Sequence, residues 1–168
     1  LTFGIVASKF NKFVTSRLLT ECVKALTKAG VTDEAIEVVR VPGAFEIPLV
    51  ARQLARSGRF DAVICLGAVI RGDTPHFEYI STEVSRGILQ ASMDSNIPVI
   101  FGVLTTDTVA QAIERADPEK LNRGADAAKT AIEMVNVMRL LKKEGSGEAP
   151  QPATPSRRAG RSAARPKR

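Results

Sequence analysis

The chain has no tryptophan, one tyrosine, one histidine and two cysteines among its 168 residues. The two thiols, Cys22 and Cys65, sit in apolar runs without CxxC or Cys/His spacing. That rules against a disulfide scaffold or a zinc site and predicts buried thiols suited to a reducing cytoplasm. No stretch approaches the roughly 18 uninterrupted apolar residues of a membrane span, and no charged, apolar and cleavage-site series opens the chain, so a soluble cytoplasmic protein with no membrane partner is expected. Leu1 rather than Met stands first, directly in an apolar run, which predicts that residues precede it. Also missing are a strand-borne GxGxxG, a Walker-type loop, HExxH and a G-x-S-x-G elbow, leaving dinucleotide, ATP, zinc-protease and serine-hydrolase chemistries unsupported.

Charge divides the chain. Residues 145–168 carry Arg157, Arg158, Arg161, Arg165, Lys167 and Arg168 against Glu148, so of the net +6 only +1 remains for the first 144 residues. A nucleic-acid-binding domain spreads its basic residues over a folded face, and this one does not. The segment from Gly145 is Gly, Ser, Ala, Pro and Arg without a large apolar residue, a composition that does not offset the entropy of ordering. The expectation is one domain over 1–144, long enough to bury about 70% of its unfolded surface, and a disordered Pro/Ala/Arg-rich tail over 145–168. The tail is either a solubilising extension or a weak, salt-dependent binder of polyanions.

Within 1–144 short apolar runs alternate with segments of helical period. Strands are expected at 1–8 (LTFGIVAS), 36–41 (IEVVRV), 62–69 (AVICLGAV) and 98–104 (PVIFGVL); helices at about 14–29, closed by Gly30, 45–57, ending at Gly58 with Pro48 in its first turns, 77–95, a short one after Asp107, and 125–143. The third strand is apolar on both faces, as an interior parallel strand must be. Four strands alternating with about five helices predict an α/β sandwich with a mainly parallel sheet, whose ligands collect outside the carboxyl ends of the strands. Those ends are 8–13, 42–46, 68–76 and 104–107.

Three of the four hold unusual residues. His76 ends the tightly turned segment Gly72, Asp73, Thr74, Pro75, where it either moves protons near neutral pH or merely packs at the start of a helix. Backbone N–H groups at Asp73 and Thr74 are placed to accept a phosphate or carboxylate, provided the Asp73 side chain points away. Glu46 lies in the first turn of a helix, where complementing the dipole is reason enough for a carboxylate. Phe10 and Asn11 offer an aromatic face and an amide to a planar heterocycle, or Phe10 belongs to the core. Arg115, Lys120 and Arg123 surround a loop of mixed charge that, taken alone, is a solvated surface.

Together, FN at 10–11, PGAFEIP at 42–48, GAVIRGDTPHFEYI at 67–80 and FGVLT at 101–105 resemble the lumazine synthase family, over about residues 1–143. The resemblance implies a flavodoxin-like three-layer sandwich, a homopentamer or a multiple of pentamers with sites between subunits, and no metal or organic cofactor. It implies condensation of 5-amino-6-ribitylaminouracil with 3,4-dihydroxy-2-butanone 4-phosphate, with release of phosphate and water, in the penultimate step to riboflavin. Carried over by position, Phe10 stacks on the pyrimidine and Asn11 adds a polar contact. Ala44, Phe45 and Glu46 line the ribityl chain, and Ala68, Val69 and Ile70 the ring edge. Asp73, Thr74 and Arg115 hold the phosphate, His76 transfers protons, and Phe101 and Arg115 come from the adjacent subunit. The chain departs at Arg123, where the family commonly has lysine; a guanidinium keeps the charge without the compact geometry, so its role stays open. Shell-forming relatives admit a riboflavin synthase partner, which no residue here tests. Two other readings remain: a flavin-binding or storage assembly with little turnover, against which the presence of His76, Thr74 and Arg115 argues, and a shell that recruits cargo through the basic tail.

Overall fold

The computed structural model describes residues 1–145. Four strands, β1 (Phe3–Ser8), β2 (Ile36–Val41), β3 (Ala62–Ile70) and β4 (Val99–Thr106), form one sheet in the order β2-β1-β3-β4, and every pairing is parallel. The helices are α1 (Lys12–Lys28), α2 (Ile47–Arg56), α3 (His76–Ser95), α4 (Val109–Ala116) and α5 (Arg123–Gly145). The α/β sandwich read from the sequence is therefore present, with a sheet that is wholly rather than mainly parallel. The expected tail, apart from Gly145 at the end of α5, lies outside the described residues.

Strand order follows from handedness. The crossover β1-α1-β2 steps one way along the sheet, whereas β2-α2-β3 and β3-α3-β4 step the other way. Right-handed connections must then place α1 on one face and α2 and α3 on the opposite one. Two apolar clusters result. Phe3, Ile5, Ala7, Ile64 and Leu66 pack under Leu18, Cys22 and Leu26 of α1 and Ala128 and Ala131 of α5. Val6, Val63 and Cys65 pack under Ile47, Ala51 and Leu54 of α2 and Val84 and Ile88 of α3. β3 is buried at eight of its nine positions, which explains its two-faced apolar sequence. Each fully buried Leu or Ile contributes about 1.5–3 kcal/mol. Burial pushes the Cys22 thiol up to about 12 and raises that of Cys65 too, so both stay protonated and unreactive.

Helix boundaries moved where local chemistry intervened. Helix α1 begins two residues early because Asn11 takes the left-handed conformation at φ 56°. A 3₁₀ turn, Ala44–Glu46, precedes α2, which starts at Ile47 with Pro48 next to it; proline there sacrifices no helical hydrogen bond. The short helix α4 is fastened by a reciprocal cap in which Thr108 Oγ1 accepts the Gln111 N–H at 3.2 Å and Gln111 Oε1 accepts the Asp107 N–H at 2.9 Å. Helix α5 starts after Asn122, also left-handed at φ 43°. Its second residue, Gly124, passes so close to α1 that an added Cβ would lie 2.3 Å from the Leu18 carbonyl oxygen.

Candidate active site

The strand order reverses between β1 and β3, and at such a switch point the loops leaving the carboxyl ends diverge and leave a crevice. A cavity of about 500 Å³ opens there. Its walls come from the loop after β1 (Phe10, Asn11), the 3₁₀ turn before α2 (Gly43, Ala44, Phe45, Glu46), the end of β3 (Ala68, Val69, Ile70), and the turn into α3 (Gly72, Thr74, His76, Phe77, Ile80). Eleven residues named from the sequence thus meet around one hollow: Phe10, Asn11, Ala44, Phe45, Glu46, Ala68, Val69, Ile70, Thr74 and His76 on its walls, with Asp73 in the same turn but exposed and outside the lining.

Phe10 is not a core residue. It is 72% exposed, and Phe45 is 56% exposed, so two aromatic rings stand at the mouth without a protein partner to cover them. An apolar ring left in water gains from any planar ligand laid on it. Asn11 is tied to the framework by its amide nitrogen, which donates to the Ala68 carbonyl at 2.9 Å, linking the loop after β1 to the end of β3. Glu46 reaches back to accept the Gly43 N–H at 2.9 Å, which fixes the carboxylate at the wall. His76, the first residue of α3, is exposed on the cavity side of a helix start, where N–H groups lack intrahelical acceptors and favour an anion. The arrangement therefore combines an aromatic platform, an acceptor carboxylate, a titratable imidazole and an anion-attracting turn.

Besides the glycines Gly43 and Gly72, two side chains of the wall were missed in the sequence, Phe77 and Ile80. Ile80 stands four residues after His76 and three after Phe77, the helical spacings that return a side chain to the same flank. Three residues named from the sequence are elsewhere. Phe101, 47% exposed, and Arg123 line a second cleft of about 480 Å³ along the outer edge of β4, together with Thr130 and Met134 of α5. Arg123 pairs there with Asp126, Nη1 to Oδ2 at 3.1 Å. Arg115, half-buried in the last turn of α4, donates from Nη1 to the Gln111 carbonyl at 3.1 Å and does not line the first cavity. Among the described residues no three His, Cys, Asp or Glu side chains cluster to hold a metal, and no helix is long and apolar enough to cross a membrane.

The sequence that builds this cavity is similar to that of known proteins. A profile of the 6,7-dimethyl-8-ribityllumazine synthases matches residues 1–139. Over 141 residues the chain is 62% identical to the 6,7-dimethyl-8-ribityllumazine synthase of Syntrophus aciditrophicus (strain SB), an alignment that spans 84% of this chain and 92% of that protein. With every cavity-lining motif inside the matched region, the chain belongs to the 6,7-dimethyl-8-ribityllumazine synthase family.

Proposed function

We propose that the chain condenses 5-amino-6-(D-ribitylamino)uracil with 3,4-dihydroxy-2-butanone 4-phosphate to form 6,7-dimethyl-8-ribityllumazine, phosphate and water, as a cytoplasmic enzyme of riboflavin biosynthesis. The observation that carries this reading is the switch-point cavity, where exposed Phe10, the anchored Glu46 and the exposed His76 share one hollow. Phe10 stacks on the pyrimidine; Ala44, Phe45 and Glu46 follow the ribityl chain, whose hydroxyls donate to the carboxylate; Ala68, Val69 and Ile70 bound the ring edge. The N–H groups of the Asp73–Thr74 turn receive the phosphate. The folded domain is 1–144, with the segment beyond it serving as an extension.

The chemistry needs proton transfer at each step. The amine of the uracil attacks the C2 carbonyl of the butanone and water leaves as the imine forms; C3 then gives up a proton as phosphate departs from C4, the resulting enol becomes a C3 ketone, and the second amine closes the ring on it with loss of water. An imidazole can both give and take protons, a contribution of about 10²–10⁴ in rate, and holding two substrates in register supplies much of the remainder. Phe101 and Arg115 complete the site from the neighbouring subunit of a homopentamer. Their placement away from the cavity supports that arrangement, since one chain holds the platform and the imidazole there but neither Phe101 nor the phosphate guanidinium. Arg123, beside Phe101, joins the same contribution.

Mixing the purified protein with both substrates and following lumazine absorbance tests the reading. Acceleration over the spontaneous reaction is expected, with His76→Ala slowing turnover by about 10²-fold, the lower end for an exposed general acid/base, and Arg115→Ala raising KM for the phosphate substrate. A folded, oligomeric sample without acceleration sinks the catalytic reading and leaves a flavin-binding assembly.

A further inference from the structure

Arg71 does not line the cavity, yet the polar bonds that shape the His76 turn converge on it. Its Nε donates to Asp107 Oδ1 at 2.7 Å and its Nη1 donates to Glu78 Oε1 at 2.7 Å. Its guanidinium carbon lies 4.4 Å from the centre of the Phe77 ring. Its backbone N–H donates to the Thr106 carbonyl at 2.8 Å. The residue that opens the turn is thereby bound to the two residues that follow His76 and to the end of β4. A planar fork with several fixed donors makes this triple contact in a way that an ammonium does not.

We propose, resting on the reaction above, that Arg71 is the positioning residue of this site, clamping the 72–76 turn so that Thr74 and His76 face the substrates while neutralising Glu78 and Asp107 beside the phosphate. Both carboxylates are more than half exposed and stand next to a turn that must receive a phosphate. Without the guanidinium their charge repels it, and the turn loses the brace that spans from its first residue into α3. A purely structural part for Arg71 predicts little change in Tm, because exposed ion pairs add little to stability.

The test compares wild type, Arg71→Ala and Arg71→Lys by steady-state kinetics on each substrate, calorimetric titration with inorganic phosphate, thermal melting, and amide exchange of residues 72–78. In Arg71→Ala the KM for the butanone phosphate and the Kd for inorganic phosphate rise about tenfold, kcat falls with the misplaced imidazole, and KM for the uracil changes less than about twofold. Exchange at 72–78 quickens while Tm holds. Lysine restores part of the charge but not the fork, so it recovers phosphate affinity more than kcat, and raising the salt shrinks the phosphate penalty of Arg71→Ala. Wild-type phosphate affinity and wild-type exchange in Arg71→Ala overturn the proposal. A wild-type protein that fails to turn over defeats the proposed reaction alone, since exchange and phosphate titration still decide the role of Arg71.

Discussion

Two of the clefts on this chain are almost equal in size, about 500 and 480 Å³, and are built on different principles. The first sits where the loops after β1, β2 and β3 leave the sheet and is walled by groups held in place: Asn11 by Ala68, Glu46 by Gly43, and the His76 turn by Arg71. The second runs along β4, an outer strand of the sheet, and offers Phe101 and Met134 as exposed apolar surface with Arg123 at its rim. One is organised for chemistry within the chain; the other presents groups outward. An exposed aromatic beside an edge strand is a liability unless something covers it, and in the proposed ring the neighbouring subunit's first cavity does so.

Subunit mixing separates the two faces with the largest expected effect. His76→Ala damages the first face and Arg115→Ala the other contribution, so each homogeneous variant has every site impaired. Co-refolded in equal amounts, they form some sites that draw an intact face from each parent. If sites lie between neighbours, activity returns to about a quarter of wild type, the random share for a heterologous contact in a closed ring. Activity no higher than the mean of the two variants would place both residues in one chain's site and end the two-face account.

A smaller effect is expected where the second face is anchored. Gly124 lets α5 lie against α1, and an alanine there would press its methyl onto the Leu18 carbonyl, with 2.3 Å where no real Cβ contact fits. Gly124→Ala should cost about 3 kcal/mol, the upper range for overpacking, read from the urea midpoint. Because Arg123 adjoins it, oligomer formation should weaken in parallel, whereas flavin or lumazine quenching at Phe10 survives in whatever remains folded. Loss of the first cavity together with the second would show that the two faces are not independently supported.

Much of this was legible in the sequence. Period and turn residues placed all four strands and five helices to within about four residues, because β3 is apolar on both faces and Gly30 and Gly58, at φ 90° and 73°, stop their helices. Phe10, Asn11, Glu46, Thr74 and His76 were legible as candidates from their place at strand ends, and Ala44, Phe45 and 68–70 only through family motifs; nothing in the composition distinguishes an exposed Phe10 from a core phenylalanine, and only the open mouth does. The turns that shift helix starts were not legible, since a left-handed Asn11 depends on a bond to Ala68, 57 residues away. The clamp of Arg71 was hidden for the same reason, because Asp107 comes from the end of the neighbouring strand, 36 residues away. That Phe101 and Arg123 share a cleft while Phe10 faces another is a fact of topology, set by β4 being an edge.

The smallest effect lies at the opposite end of β3, where the same strand serves stability instead of chemistry. Asp61 accepts the Thr2 N–H at 2.7 Å and the Arg139 guanidinium at 3.0 Å. Burial alone would raise its pKa, but these partners outweigh burial and hold the carboxyl below its ordinary value. A depressed folded pKa means that the ionised form stabilises the fold above the unfolded carboxylate value near 4 and that this contribution disappears as the pH falls through the folded value. Asp61→Asn should therefore lower stability by about 1 kcal/mol at neutral pH, leave kcat and both KM values unchanged, and converge on wild type in strong acid. Denaturation at pH 7 and again below pH 3 measures the difference. A gap of the same size at both would assign the effect to the shape of the residue, and a change in kcat would mean that the two ends of β3 are coupled rather than separate.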